Sequence, residues 1–201
     1  ENGLSEEILS QLDGVFSKME TTLTLKLFLD NQPVSEELKE YMTAIASRTD
    51  KIKLETVESH SETNTPLVRI FREDGTDSGL AFHGVPGGHE FTSFIIGLYN
   101  VAGPGQAVDE DSLTKINEIN NPTDIKILIS LSCTMCPELV MAAQHIAALN
   151  KNVKTEVYDI NHFSELKEKY DVMSVPCLVL NDEKVTFGKK NIPQLLEFLA
   201  E

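Results

Sequence analysis

Three cysteines in 201 residues are too few for the disulfide framework of a small secreted domain. Two of them share a single C-x-x-C, so the compartment reads as reducing and the chain as cytoplasmic. Basic charge is also scarce. The 17 Lys and Arg against 32 Asp and Glu leave a net charge of -15, which opposes sequence-independent binding to phosphate backbones or anionic lipid. Neither nucleic acid nor a membrane is an expected partner. No apolar run approaches the ~20 residues that cross a bilayer, and Glu1-Asn2-Gly3-Leu4-Ser5 lacks the basic and apolar regions of a secretory signal. Neither glycine-bearing stretch, residues 84–88 or 103–105, spells G-x-G-x-x-G, so no dinucleotide cofactor is expected in this chain.

The composition, 41% hydrophobic and 24% charged, is that of a folded protein rather than a disordered one, and the length admits two small units. Apolar spacing predicts a helix over residues 4–19, a strand over 21–29, a helix opening at Ser35-Glu36-Glu37, a strand over 52–57, a hairpin of 67–71 with 79–83, and a helix over 89–99. Residues 101–106, Val-Ala-Gly-Pro-Gly-Gln, form the best linker. The order then begins again: helix 112–119, strand 125–131, helix 137–149, strand 153–158, short helix 163–170, hairpin 177–180 with 185–187, helix 192–199.

Offsets test the repetition. Leu25-Lys26-Leu27-Phe28 lies against Ile125-Lys126-Ile127-Leu128, Lys53-Leu54-Glu55 against Lys154-Thr155-Glu156, and Thr65-Pro66-Leu67 against Val175-Pro176-Cys177; both hairpins end in glycine, at Gly84 and Gly188. The expected fold is therefore α/β: two fused thioredoxin-like units, each a mixed central sheet flanked by helices, over residues 1–103 and 104–201. The offset of one hundred puts Pro33 and Glu36 where the second unit has Cys133 and Cys136, so dithiol chemistry belongs to the second unit alone.

Ser132-Cys133-Thr134-Met135-Cys136-Pro137 follows a strand and opens a helix. That places Cys133 at a helix N-terminus, where free N–H groups and the helix dipole favour a thiolate. Such a sulfur is a ready nucleophile and a good leaving group, and Cys136, one turn inward, is placed to resolve a mixed disulfide. Zinc half-sites use the same spacing, with Cys177 and His145 or His162 available to complete a set. Val175-Pro176 suits a cis peptide beside the cysteines, which frees the Val175 backbone to meet an extended peptide; a trans turn proline is the alternative.

Three stretches carry a resemblance: Gly84-Val85-Pro86-Gly87-Gly88-His89-Glu90-Phe91-Thr92-Ser93, Leu131-Ser132-Cys133-x-x-Cys136-Pro137, and Met173-x-Val175-Pro176. Together they resemble the N-terminal tandem thioredoxin-like domain of the bacterial alkyl hydroperoxide reductase flavoprotein. The resemblance implies two fused thioredoxin folds with cysteines only in the second. It also implies electron transfer from a flavin reductase portion or protein, carrying FAD and NADH outside this chain, to the disulfide of a two-cysteine peroxiredoxin. Glu90 is then either an acid or base near the cysteines or simply a first-turn helix acid. Cys177 departs from the small non-thiol residue of the family, as a buried inert thiol or a third redox partner. Rival readings are a general protein disulfide oxidoreductase of the tandem type, whose units usually both carry a cysteine pair, and a metal or scaffold module.

Overall fold

The computed structural model describes residues 3–201; Glu1 and Asn2, where the signal reading begins, lie outside them. Ser5 opens helix α1 (Glu6–Phe16) by accepting the backbone N–H of Ile8, which satisfies one of the free donors of the first turn. Strand β1 (Leu23–Phe28) alternates buried and half-buried side chains, as a period of two requires. Helix α2 (Pro33–Ala46) crosses over to β2 (Ile52–Val57), which pairs with β1 in parallel. The hairpin of β3 (Leu67–Arg72) and β4 (Asp77–His83) adds antiparallel strands on the other side of β1, and α3 (Glu90–Ala102) follows.

After α4 (Glu110–Asn117) the pattern recurs as β5 (Thr123–Ile129), α5 (Cys136–Leu149), β6 (Val153–Asp159), α6 (Glu165–Lys169), β7 (Cys177–Leu180), β8 (Lys184–Phe187) and α7 (Ile192–Ala200). The sheet runs β2-β1-β3-β4-β6-β5-β7-β8, so each half has the same internal order. Matching details recur within it. Leu23 opposes Ile52 as Thr123 opposes Val153. Leu67 opposes His83 as Cys177 opposes Phe187. Gly84 N–H donates to Pro66 O and Gly188 N–H to Pro176 O, and both Thr65–Pro66 and Val175–Pro176 are cis.

The two halves do not keep separate sheets, because β4 pairs in parallel with β6 from Leu80–Thr155 to His83–Tyr158. Gly79 makes this approach possible: with φ at +89°, a side-chain carbon there would meet Val153 O at 2.7 Å. At the far end of the seam His83 is buried, one ring nitrogen 2.7 Å from Asn64 O and the other 2.7 Å from Glu156 Oε1, with its ring stacked on Tyr158. Arg69, paired with Glu62, reaches the same Glu156 oxygen at 3.3 Å. Burial opposes charge on Glu156, but the bonds and charges of His83 and Arg69 overcome it and hold the carboxyl at about 2.

The largest core cluster runs through both halves, with Leu80, Phe94 and Leu98 beside Ala143 and Ile146. Strand β5 divides its side chains: Ile125, Ile127 and Ile129 join that cluster, while Leu128 points the opposite way into a smaller one with Tyr158, Phe163, Leu166 and Cys177.

Two sequence expectations change. Helices α2 and α5 are both 14 residues long and start at Pro33 and Cys136. Pro33 thus stands where Cys136 does, and Glu36 falls inside the helix. Strands β1 and β5 keep the offset of one hundred, but α5 starts three residues later than that offset places it, and the lengthened loop before it holds Cys133. The linker also starts later than expected, at Gly103, because apolar Val101 and Ala102 are buried as the last turn of α3.

Candidate active site

Strand β5 delivers the chain to the end of the sheet where α2, α3 and α5 all begin. There Cys133 N–H donates to Ser130 O at 3.0 Å, and Cys133 and Cys136 are joined in a disulfide with their Cα atoms 5.6 Å apart. Cys136 is the first residue of α5 and wholly buried, whereas Cys133 is half-buried. Met135 occupies the N-cap position, so Cys133 precedes the helix instead of opening it.

Val175–Pro176 leads into β7, whose first residue, Cys177, pairs with Leu128 of β5. Loop 172–176 therefore lies at the same end of the sheet as loop 130–135. Val175 packs against both core clusters. Cys177 itself points into the smaller cluster with no exposed surface, and burial pushes its thiol up to about 11. We expect the oxidised protein to give no fast thiol reaction with 5,5′-dithiobis(2-nitrobenzoate), and one equivalent on unfolding. A rapid native reaction would show Cys177 to be accessible.

Glu90 is the first residue of α3 and fully buried. Its Oε1 accepts the Ser93 hydroxyl at 2.6 Å, while Oε2 has no hydrogen-bond partner. Burial pushes the carboxyl up to about 7, with the Ser93 bond pulling weakly the other way. The start of α3 is pinned to the cysteine loop, since His89 N–H donates to Leu131 O at 2.9 Å. Gly88 has φ of +53°, and a side-chain carbon there would stand 2.6 Å from that same oxygen. Glu90 is thus a first-turn acid with a desolvated carboxyl, in the residue that follows the one bonded to Leu131 O.

The corresponding loop of the first half is closed by a carboxylate. Asp30 accepts from the Ser35 hydroxyl (2.7 Å), the Thr65 hydroxyl (2.8 Å) and both the backbone and side-chain amides of Gln32. Burial works against its charge, yet these donors hold it below the usual range. Asp30-Asn31-Gln32-Pro33 is a local turn signal in the sequence, and the structure adds the reach of its carboxylate to Thr65. A groove of about 460 Å³ runs from this loop to Leu131, with Pro33 and Val34 on one side and Asp159 and His162 on the other.

Among the described residues no group of three or more His, Cys, Asp or Glu side chains could hold a metal ion, and no helix is long and apolar enough to cross a membrane.

A family model described as Thioredoxin domain matches residues 123–200. The crystal structure of the N-terminal domain of the alkyl hydroperoxide reductase AhpF from Enterococcus faecalis is similar at 34% identity and a TM-score of 0.93, over 98% of this chain and 99% of that one. The corresponding alkyl hydroperoxide reductase protein of Pseudomonas aeruginosa is 32% identical over 96% of this chain, which spans 36% of that protein's length. A protein disulfide oxidoreductase from Aeropyrum pernix, at 18% identity and a TM-score of 0.84 over 96% of this chain and 91% of that one, shares the fold. The chain belongs to the family of N-terminal domains of the alkyl hydroperoxide reductase AhpF, which are thiol-disulfide oxidoreductase modules.

Proposed function

We propose that the chain is a dithiol-disulfide relay that takes electrons from a flavin reductase portion or protein, bearing FAD and NADH, and passes them to the disulfide of a two-cysteine peroxiredoxin. The observation that carries this reading is the unequal Cys133–Cys136 pair, one sulfur half-buried beside an uncharged loop and the other sealed at the first position of α5.

In the forward step the Cys133 thiolate attacks one partner sulfur, forming a mixed disulfide and expelling the other partner sulfur, which takes up a proton. Cys136 then attacks the Cys133 sulfur, which closes the internal disulfide and releases the second partner thiol. Two electrons and two protons leave the pair. Glu90, buried and near neutrality in its proton affinity, is suited to accept the Cys136 proton as that thiol becomes nucleophilic. Val175 offers backbone to an extended partner segment, since Pro176 has no N–H to compete. Residues 104–201 carry the chemistry and residues 1–103 position it, supplying Glu90 and one wall of the groove beside Leu131.

The test mixes the dithiothreitol-reduced protein with an oxidised two-cysteine peroxiredoxin and, separately, with insulin. Oxidation of Cys133 and Cys136 is expected to be many times faster with the peroxiredoxin. Equal rates on both clients would replace the dedicated relay with a general disulfide oxidoreductase.

A further inference from the structure

The imidazole of His145 has no part in the relay. It stands on α5, is 3% exposed, and makes no hydrogen bond to any described residue. Its nitrogens are not sealed in the way the free oxygen of Glu90 is; they open into a cleft of about 330 Å³. Burial lowers the proton affinity of the ring below its ordinary value, so at neutral pH it is uncharged and has one nitrogen free to accept a hydrogen bond. A polar group placed so deep and left unpaired is uncommon in a folded protein.

The cleft lies between the segment that joins the two halves and helices α5 and α7. Glu138, Met141 and His145 recur at helical spacing on one face of α5, and Val108, Asp109 and Ile192 close the other sides. Its charged lining is of one sign, Asp109 and Glu138, with no Lys or Arg. Helices α4 and α7 both start here, and helix N-termini ordinarily favour an anion. Each is capped from within, however, α4 by Asp109 accepting Ser112 N–H and α7 by Asn191 accepting Gln194 N–H. The bonds from Ser112 hold the Asp109 carboxyl below its usual range, so the cap itself brings a negative charge to the cleft.

We propose that this cleft is a binding site for a small organic cation, a guanidinium or primary ammonium on a short apolar stem, held by Asp109, Glu138 and His145. The two carboxylates balance its charge, the imidazole accepts one of its N–H donors, and the stem lies on Met141 and Ile192. A metal ion does not suit the place, since among the described residues no three such side chains converge to hold one. The volume is at the lower end of the range for ligand pockets, which fits a ligand of few atoms. Two sources offer this chemistry: a free amine or guanidine, and an Arg or Lys side chain of a partner protein. Binding here needs no disulfide exchange, so it stands apart from the relay.

The experiment titrates butylguanidinium into the oxidised, isotope-labelled chain and follows the His145 ring in carbon–proton NMR spectra. Butylurea, of similar shape without the charge, and butyrate, of opposite charge, are the controls. The pair Asp109→Asn with Glu138→Gln removes both charges and keeps the cap of α4, since asparagine caps as well as aspartate. Both residues are exposed, so the fold survives the change.

Butylguanidinium is expected to give a saturable His145 shift with a millimolar Kd, and a Kd about tenfold higher in the double variant. Butylurea and butyrate are expected to leave the ring unmoved. An arginine-bearing tetrapeptide amide that binds more tightly than butylguanidinium supports the site with a protein side chain as its source; a peptide kept out of the cleft supports it with a free cation. The absence of a saturable shift with butylguanidinium overturns the proposal. So does an equal shift with butylurea or butyrate, or an affinity that the double variant leaves unaltered. No arm of this titration involves Cys133 or Cys136, so the relay reading stands or falls separately.

Discussion

Cys136→Ser protein, mixed with an oxidised two-cysteine peroxiredoxin, accumulates a one-to-one mixed disulfide through Cys133 and proceeds no further. The expectation follows from the unequal burial of the pair. Only Cys133 has surface for a partner sulfur, and Cys136, at the first position of α5, already lies bonded to it. Turnover falls by on the order of a thousandfold or more, as when one member of a catalytic unit is removed. Cys133→Ser, by contrast, forms little adduct, because the remaining Cys136 is sealed. Mass spectrometry of the trapped adduct after proteolysis locates the bond. A bond to Cys177 would reverse the assignment of an inert thiol, and rapid trapping in the Cys133→Ser protein would reverse the order of attack.

Glu90→Gln removes a pH dependence of stability that runs opposite to the usual behaviour of a carboxylate. In the folded protein the carboxyl sits at about 7 against an ordinary value of 4.5, so the folded state holds its proton more tightly than the unfolded chain. The associated stability is fully present below pH 4.5 and disappears as the pH rises through about 7. At about 1.4 kcal/mol per unit, the loss is ~3 kcal/mol between pH 4 and pH 8. Glu156 has the reverse sign: its folded value of about 2 contributes stability above pH 4.5 that is lost as the pH falls towards 2. Wild-type stability is expected to peak near pH 5. The glutamine variant should lose the decline on the alkaline side, which urea unfolding at pH 5 and pH 8 measures. Parallel profiles for the two proteins would mean that Glu90 is solvated or paired. If Glu90 also serves Cys136 as a base, the same variant slows resolution of the mixed disulfide and flattens its pH profile around 7, an effect a purely structural carboxyl would not produce.

The cysteine pair, Val175–Pro176, the element order and the duplication were legible in the sequence. Each is encoded locally: period-two and period-3.6 patterns write the strands and helices, and C-x-x-C followed by proline is a contiguous signal. The offset of one hundred holds for β1 and β5 but not at α5, which starts three residues late, nor at β7, which starts 110 residues after β3; added residues cost little in surface loops. Local pattern likewise ended α3 too early, because Val101 and Ala102 are helical through packing rather than through any stop signal in their neighbours.

By itself, then, the sequence determined two α/β repeats, one cysteine pair and the half that carries it. The tertiary structure decided which sulfur is exposed and that the halves share one sheet through β4 and β6. It also decided that Glu90, from the half without cysteines, is buried next to the residue bonded to Leu131 O, with one carboxylate oxygen unpaired. Burial and proton affinity depend on atoms more than forty residues apart in the chain, as Leu131 is from Gly88 and His89. No local pattern records such a distance; it exists only once Gly79 and Gly88 let the two halves close to contact.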